Sequence, residues 1–305
     1  MWESWLTAEQ AVAVDALAAR AAAADGFDPL NEEARLSRAL GEARHLLTIE
    51  DDRLVGYLVH SPAHQTAQVV VDPDHRRRGI ASGLVAALGS DAPIRLWAFH
   101  DAPPAQGFVR RLGLVEGRAL LVMEKPVTTG GTPGSASTGG ARAERGTDPA
   151  PTASGEVGHS VELRGFRPED ASALLAVNAA AFAHHPEQGG LDAAGLAARM
   201  AEEWFDPDGL IVAVEDGRLL GFHWTKRVGD LGEVYVVGVD PSAQGRGLGR
   251  RLLQAGLDHL AKAGCRSVIL YVDSADTVAV GMYASAGFGV AHRDVLYVPA
   301  AEEQG

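Results

Sequence analysis

The chain has 305 residues, of which 46% are hydrophobic and 22% charged, and its formal net charge is -13. This length and composition are typical of two globular domains, and the acidic balance argues against nucleic acid or an anionic membrane as a partner. Cys265 is the one cysteine, which excludes an internal disulfide and a cysteine-rich metal site. We expect a cytoplasmic protein, since residues 1–10 lack the pattern of a secretion signal, and we expect it to be a monomer.

The first half alternates predicted helices and strands, and a proline stops the second strand because it cannot continue a hydrogen-bond ladder. A loop containing glycine then leads into a helix with apolar residues at helical spacing. In chain order the signals are helices at 11–24 and 31–43, strands at 53–57 and 69–71, the stop at Asp72-Pro73, the loop at 76–81 and a glycine-closed helix ending at Gly113.

The same order of signals returns in the second half, so the chain contains an internal repeat. Arg218–Phe222 matches Arg53–Tyr57, and the strand ending at Asp240-Pro241 matches the strand ending at Asp72-Pro73. Residues 127–160 are rich in Gly, Thr, Ser, Ala and Pro and predict a flexible linker. We therefore predict an N-terminal domain at 1–126, the linker at 127–160 and a C-terminal domain at 161–305.

Each half carries a strand, a glycine loop and a helix start in succession, which is suited to binding an anion. Glycines free the backbone, and the first N–H groups of the helix point at the ligand. Gln244-x-x-Gly247-x-Gly249 resembles the Q/R-x-x-G-x-G/A signature of the GNAT acetyltransferases, and Arg76-x-x-Gly79-x-Ala81 fits it too. The resemblance implies two tandem GNAT acyl-CoA N-acyltransferase folds, each an α/β fold with a mixed sheet.

By this resemblance the loops hold the pyrophosphate of acetyl-CoA, and the preceding strand pairs with its pantetheine arm. No metal is expected. In the first half the implied cofactor residues are Val69, Val70, Val71, Arg77, Arg78, Gly79, Ile80, Ala81 and Ser82. In the second half they are Val237, Gly238, Val239, Gln244, Gly245, Arg246, Gly247, Leu248, Gly249, Arg250, Asp276, Thr277, Val278, Ala279, Val280 and Gly281.

Longer motifs in the second half resemble the mycothiol synthase family of tandem GNAT proteins. They are His185–Gly190, Glu203–Leu210, Gly221–Lys226 and Gly232–Val236. The resemblance implies acetylation of the cysteinyl amine of cysteinyl-glucosaminyl-inositol, the last step of mycothiol biosynthesis. Two alternatives remain open: an acetyltransferase for another amine, such as a protein N-terminus or an aminoglycoside, and a non-catalytic acyl-CoA sensor.

Acetyl transfer needs an amine without its extra proton and a proton for the departing thiolate. Glu233, in the strand before the glycine loop, is the candidate general base, and the family resemblance makes Tyr283 the candidate general acid. Aligning the repeats places Val109 opposite Tyr283, so the first half is expected to bind acetyl-CoA without catalysis.

A polar acceptor also needs charged and hydrogen-bonding side chains. The resemblance implies that Glu32, Glu187, Lys226, Glu233 and Tyr271 bind it. The family usually has Asn where Asp276 stands and Arg where Gly281 stands, which are the two departures in the stretch expected to line the coenzyme.

Overall fold

The computed structural model describes residues 2–88, 94–127, 161–183 and 188–300. The chain divides into two compact units, the first made of residues 1–123 and 271–305 and the second of residues 124–270. The predicted linker therefore lies outside the described residues from position 128 onward.

The first unit is a mixed sheet with helices. Its strands are β1 (Arg44–Glu50), β2 (Arg53–Ser61), β3 (Thr66–Val71), β4 (Leu96–Ala98), β5 (Leu114–Pro126, assigned to this unit as far as Met123) and β11 (Gly289–Pro299). Its helices are α1 (Ala8–Asp25), α2 (Glu32–Leu40), α3 (Ile80–Ala86), α4 (Pro103–Arg111) and α8 (Thr277–Ser285). The strand order is β1-β2-β3-β4-β11-β5.

The core of this unit covers the sheet with α1 and α3. Leu17 and Ala21 of α1 pack against Tyr57, while Leu84 of α3 packs against Leu58. Adjacent residues of β2 point to opposite faces of the sheet, so one strand supplies both layers.

The second unit repeats the plan with strands β6 (Glu162–Gly165), β7 (Leu210–Glu215), β8 (Arg218–Val228), β9 (Leu231–Val239) and β10 (Ser267–Asp273, assigned to this unit as far as Leu270). Its helices are α5 (Ala171–Ala181), α6 (Ala193–Met200) and α7 (Leu248–Lys262). The strand order is β10-β9-β8-β7-β6, with β9 and β10 parallel and the other neighbours antiparallel.

Helix α7 is fixed on the second sheet through a fully buried histidine. His223 Nδ1 donates a hydrogen bond to the carbonyl of Leu252 at 2.8 Å, and burial lowers the His223 pKa to about 4. The ring is therefore neutral at pH 7. Gly256 faces the ring, and a Cβ at this position would collide with it.

The sequence repeat and the compact units assign residues 271–305 to different parts of the molecule. These residues belong to the second sequence repeat, yet they group with the first unit because β11 pairs antiparallel with β4, with Val295 opposite Ala98. The domain limits drawn from the repeat at 1–126 and 161–305 stay a prediction.

Candidate functional site

The strand before each glycine loop ends at a carboxylate that fixes the turn. Asp240 accepts hydrogen bonds from the Ser242 hydroxyl at 2.6 Å, the Ser242 N–H at 2.8 Å and Arg218 at 2.9 Å. These bonds, the Ser242 hydroxyl foremost, lower the pKa of Asp240. The charged carboxylate thus holds the chain in place where the loop begins.

Asp72 has the same function in the first half. Burial raises its pKa, but hydrogen bonds from Arg20, the Asp74 N–H and His75 more than offset this, and the net shift is downward. Arg20 and Arg53 each donate to Asp72 Oδ2 at 2.8 Å. The two repeats therefore anchor equivalent loops with equivalent carboxylates.

The glycine loop of the second unit presents the start of α7. Gly245 and Gly247 have φ values of 76° and 75°, which an L side chain adopts only with strain. Within the described residues, no side chain caps Gly247 at the helix start, and an added Cβ there would meet no atom within 4 Å. Backbone N–H groups and the positive end of a 15-residue helix are thus presented to an anion.

Beside this loop, β9 separates from its parallel neighbour. Pairing with β10 runs from Leu231 to Val234, whereas β9 continues to Val239. Among the described strands, the remaining residues of β9 pair with β8 on one side only. Tyr235 forms a β-bulge there, because Val234 and Val236 are opposite the adjacent residues Thr225 and Trp224. A bulge bends its strand, and the open edge can accept an extended pantetheine arm.

The first unit has a similar open strand edge, on β3. Ala67 of β3 is opposite Leu96 of β4, and β3 continues to Val71. Its loop carries Arg77 at φ 66° and Gly79 at φ 86°. Arg78 donates to the Asp74 carbonyl at 3.2 Å, and Gly79 is followed by Ile80, Ala81 and Ser82 in the first turn of α3.

Two of the predicted site residues of the second unit lie together. Lys226 and Glu233 are directly opposite each other on β8 and β9, and Lys226 Nζ lies 4.0 Å from Glu233 Oε2. Their side chains are 15% and 18% exposed. The pair places a carboxylate, which can accept a proton, beside a cation in a largely sheltered position.

Tyr283 lies on α8 and is nearly buried. Its ring packs edge-on against Phe288 with the centroids 6.0 Å apart. Burial, with a smaller contribution from Asp276, raises the pKa of Tyr283 to about 12, so the phenol keeps its proton at neutral pH. Asp276 caps the N-terminus of the same helix, and its carboxylate accepts the N–H of Ala279 at 2.9 Å.

The other predicted residues are placed as follows. Glu32 is the first residue of α2, after the cap Asn31, and Tyr271 on β10 is 49% exposed. Glu187 lies outside the described residues. Arg246 pairs with Glu215, and Gln244 donates to the Val239 carbonyl at 3.4 Å. Helix α7 begins with Leu248, Gly249 and Arg250, and helix α8 begins with Thr277, Val278, Ala279, Val280 and Gly281.

Two aromatic residues that no sequence pattern indicated hold Lys226 in place. Its ammonium nitrogen lies 5.1 Å from the centroid of Trp204 and 5.4 Å from that of Tyr235. Arg199 donates to the Tyr235 hydroxyl at 2.8 Å. Trp204 and Tyr235 lie in motifs noted above, but no local spacing relates either ring to Lys226.

Family models match both halves of the chain. Residues 181–288 match the Acetyltransferase (GNAT) family, and residues 41–116 match an Acetyltransferase (GNAT) domain. The structure resembles a GCN5-related N-acetyltransferase from Sphaerobacter thermophilus (TM-score 0.63, 21% identity, covering 98% of this chain and 94% of that one). It also resembles a tandem GNAT protein from the clavulanic acid biosynthesis pathway (TM-score 0.65, 18% identity, 95% of each chain). The predicted fold is confirmed: these matches define an acetyl-CoA-dependent N-acetyltransferase built from two GNAT domains.

Similar sequences narrow the class further. The chain is 44% identical to the mycothiol acetyltransferase of Nocardia farcinica, with 97% of this chain and 96% of the relative covered. It is 44% identical to that of Thermomonospora curvata, with 96% and 94% covered. The chain belongs to the mycothiol acetyltransferase family, which confirms the resemblance seen in its motifs.

In the part of the chain that the structure describes, no three His, Cys, Asp or Glu side chains are grouped so that they could hold a metal ion. No helix there is both long enough and apolar enough to cross a bilayer.

Proposed function

We propose that the chain transfers acetyl from acetyl-CoA to the cysteinyl amine of 1D-myo-inositol 2-(L-cysteinylamino)-2-deoxy-alpha-D-glucopyranoside, completing mycothiol. The full-length identity to mycothiol acetyltransferases carries this proposal. The Lys226–Glu233 pair supports it, because a cation and a carboxylate suit an acceptor that combines an amine with many hydroxyls. We further propose that the protein acts in the cytoplasm as a monomer.

We propose that acetyl-CoA binds to the glycine loop and the open strand edge of the second unit. Its pyrophosphate would lie against the backbone N–H groups from Gln244 to Gly249, and its pantetheine arm along Val237–Val239. The open edge of β9 and the uncapped start of α7 support this placement. The thioester supplies the activated acetyl group. The residues from Asp276 to Gly281 are proposed to line the coenzyme as well.

Glu233 would act as the general base. The acceptor amine is largely protonated at neutral pH, so a carboxylate must take one proton, directly or through water, before nitrogen can attack the carbonyl carbon. The C–N bond then forms as the C–S bond breaks, and the nitrogen releases its second proton to give the amide, which balances the proton that the departing thiolate takes up. Lys226, Glu32, Glu187 and Tyr271 would bind the acceptor by charge and hydrogen bonds.

Tyr283 would donate its phenolic proton to the departing thiolate. A phenol with a pKa of about 12 is protonated at neutral pH and is therefore available as a donor. The first half has Val109 at the aligned position, so we propose that it binds acetyl-CoA through residues 69–71 and 77–82 without turnover.

The acceptor is tested by measuring thiol release from acetyl-CoA with cysteinyl-glucosaminyl-inositol and with glucosaminyl-inositol. The second compound keeps the sugar, the inositol and an amine but lacks the cysteinyl group. We expect turnover with the first alone. Faster turnover with a peptide N-terminus or an aminoglycoside would replace the proposed acceptor, and no turnover with any amine would favour a sensor.

A further inference from the structure

Lys226 is held over two aromatic rings, which we call the aromatic shelf and define as Trp204 and Tyr235. Both centroids lie within 5.4 Å of the ammonium nitrogen, and the two rings are 5.0 Å apart. The faces of aromatic rings attract a cation, and the attraction grows when water is excluded. The shelf thus fixes a flexible side chain beside Glu233.

The shelf is itself supported by the surrounding structure. Arg199 of α6 donates from Nε to the Tyr235 hydroxyl and from a terminal nitrogen to the Gly195 carbonyl at 3.1 Å. Trp224, which is fully buried, packs against both shelf rings at 5.9 and 5.5 Å. The side chain of Tyr235, at the bulge, is therefore held from two sides, by Arg199 and by Trp224.

A lysine on a surface strand samples many rotamers, and holding it costs conformational entropy. A shelf that restricts Lys226 before the acceptor arrives removes this cost from binding. The sheltered position also strengthens its interaction with acceptor oxygens, because fewer waters screen it.

We propose that Trp204 and Tyr235, supported by Arg199, are positioning residues that hold the Lys226 ammonium beside Glu233 to bind the hydroxyl oxygens of a polyhydroxylated acceptor. This rests on the function proposed above. The shelf acts through Lys226, whereas the coenzyme is proposed to bind along Val237–Val239, so we expect its removal to affect acceptor binding more than coenzyme binding.

The kinetic test is a double-mutant cycle with Tyr235→Leu and Lys226→Met. We expect Tyr235→Leu to raise the KM for the acceptor about tenfold and to leave the KM for acetyl-CoA unchanged. In the Lys226→Met background the same change should have no further effect, because the cation is gone. Tyr235→Phe keeps the ring and should restore most of the affinity. Trp5→Leu, which removes a tryptophan that is 64% exposed, is the control and should change neither constant.

Additive effects of the two substitutions, or an equal rise in the KM for acetyl-CoA, would overturn the proposal.

A second measurement, by NMR, is independent of the acceptor. The lysines of the chain are Lys125, Lys226 and Lys262, so reductive methylation with ¹³C gives few lysine resonances. The Lys226 methyl line, assigned by its loss in Lys226→Met, should lie upfield of the others because of the ring currents. It should move downfield in Tyr235→Leu and in Trp204→Phe.

An unshifted Lys226 line in the wild-type protein would contradict the shelf. A shifted line in a protein that does not acetylate cysteinyl-glucosaminyl-inositol would leave the shelf in place and overturn the acceptor. The two proposals therefore fail separately.

Discussion

Arg77 in the first half occupies the position that Gly245 occupies in the second, five residues after the carboxylate that anchors the loop. Both have left-handed backbones, with φ values of 66° and 76°. Arginine adopts this conformation at a cost of about 1 kcal/mol. The loop geometry is thus retained in the first half even where it strains the backbone, as expected if that loop still binds an anion.

Replacing Arg77 by glycine separates loop shape from charge. Arg77→Gly should leave the free energy of unfolding unchanged or raise it slightly, because strain is relieved. It should weaken acetyl-CoA binding in the first half several-fold, with a weaker salt dependence, because one cation is lost. Calorimetric titration with acetyl-CoA at two salt concentrations measures the affinity and its salt dependence. Two unchanged binding events would argue against a phosphate contact by Arg77.

Gly247→Ala tests the coenzyme loop of the second unit. The substitution strains a left-handed residue by about 1–2 kcal/mol and places a methyl group where the pyrophosphate is proposed to lie. The KM for acetyl-CoA should rise about tenfold. Gly217→Ala is a matched control, since Gly217 has a φ of 78° and open space around it, but lies in the turn between β7 and β8. A similar rise in both variants would trace the effect to stability.

Tyr283→Phe removes the proposed proton donor with little change in volume. We expect kcat to fall by more than tenfold, or about 1.4 kcal/mol of barrier, with unfolding little affected. Tyr297→Phe is the control: burial also raises the pKa of Tyr297 to about 12, and its hydroxyl donates to Asp101 at 2.7 Å. That variant should lose stability but keep kcat. Steady-state kinetics and thermal unfolding of both variants distinguish catalysis from packing.

Asp294 makes the first unit sensitive to pH. Burial raises the pKa of this carboxyl to about 6, although the His100 N–H bonded to it at 2.8 Å favours the charged form. The folded-state pKa is above the unfolded value of 3.8, so the folded protein favours the protonated carboxyl. The contribution of Asp294 to the free energy of unfolding is therefore fully present below about pH 4 and is lost as pH rises through 6. The loss amounts to roughly 3 kcal/mol.

Asp294→Asn should therefore raise the Tm at pH 8 and leave it nearly unchanged at pH 4. Asp170→Asn should do the reverse at pH 8, because hydrogen bonds from Arg164 lower the pKa of Asp170 and its stabilisation is present above the unfolded value. Thermal unfolding across this range gives both profiles. A fall in Tm at pH 8 for Asp294→Asn would mean that the charged form is favoured by contacts stronger than its lost hydration.

The sequence predicted the parts of the fold that depend on local pattern. The strands ending at Asp72 and Asp240, the glycine loops and the helices after them are where their residues indicated, because proline, glycine and apolar periodicity act over a few positions. The family resemblance placed Lys226 and Glu233 in one site, and the structure brings these two together.

Other features depend on contacts between distant segments. The pairing of β11 with β4 could not be predicted, since the alternation of a strand fixes its two faces and not its partner. The support of Lys226 by Trp204 depends on where a loop packs over the sheet. The bulge at Tyr235 has no glycine to mark it, so nothing in Val234-Tyr235-Val236 distinguishes it from a regular strand.

The role of Glu233 as general base is tested by comparing wild-type protein with Glu233→Gln in acetyl transfer to cysteinyl-glucosaminyl-inositol between pH 6 and 9. The amide keeps the shape of the side chain but cannot accept the amine proton, so kcat should fall at least a hundredfold at pH 7. It should partly recover at high pH, where more of the amine is already deprotonated. A variant that keeps its rate at pH 7, or whose loss is the same at every pH, would contradict the assignment of Glu233 as the base.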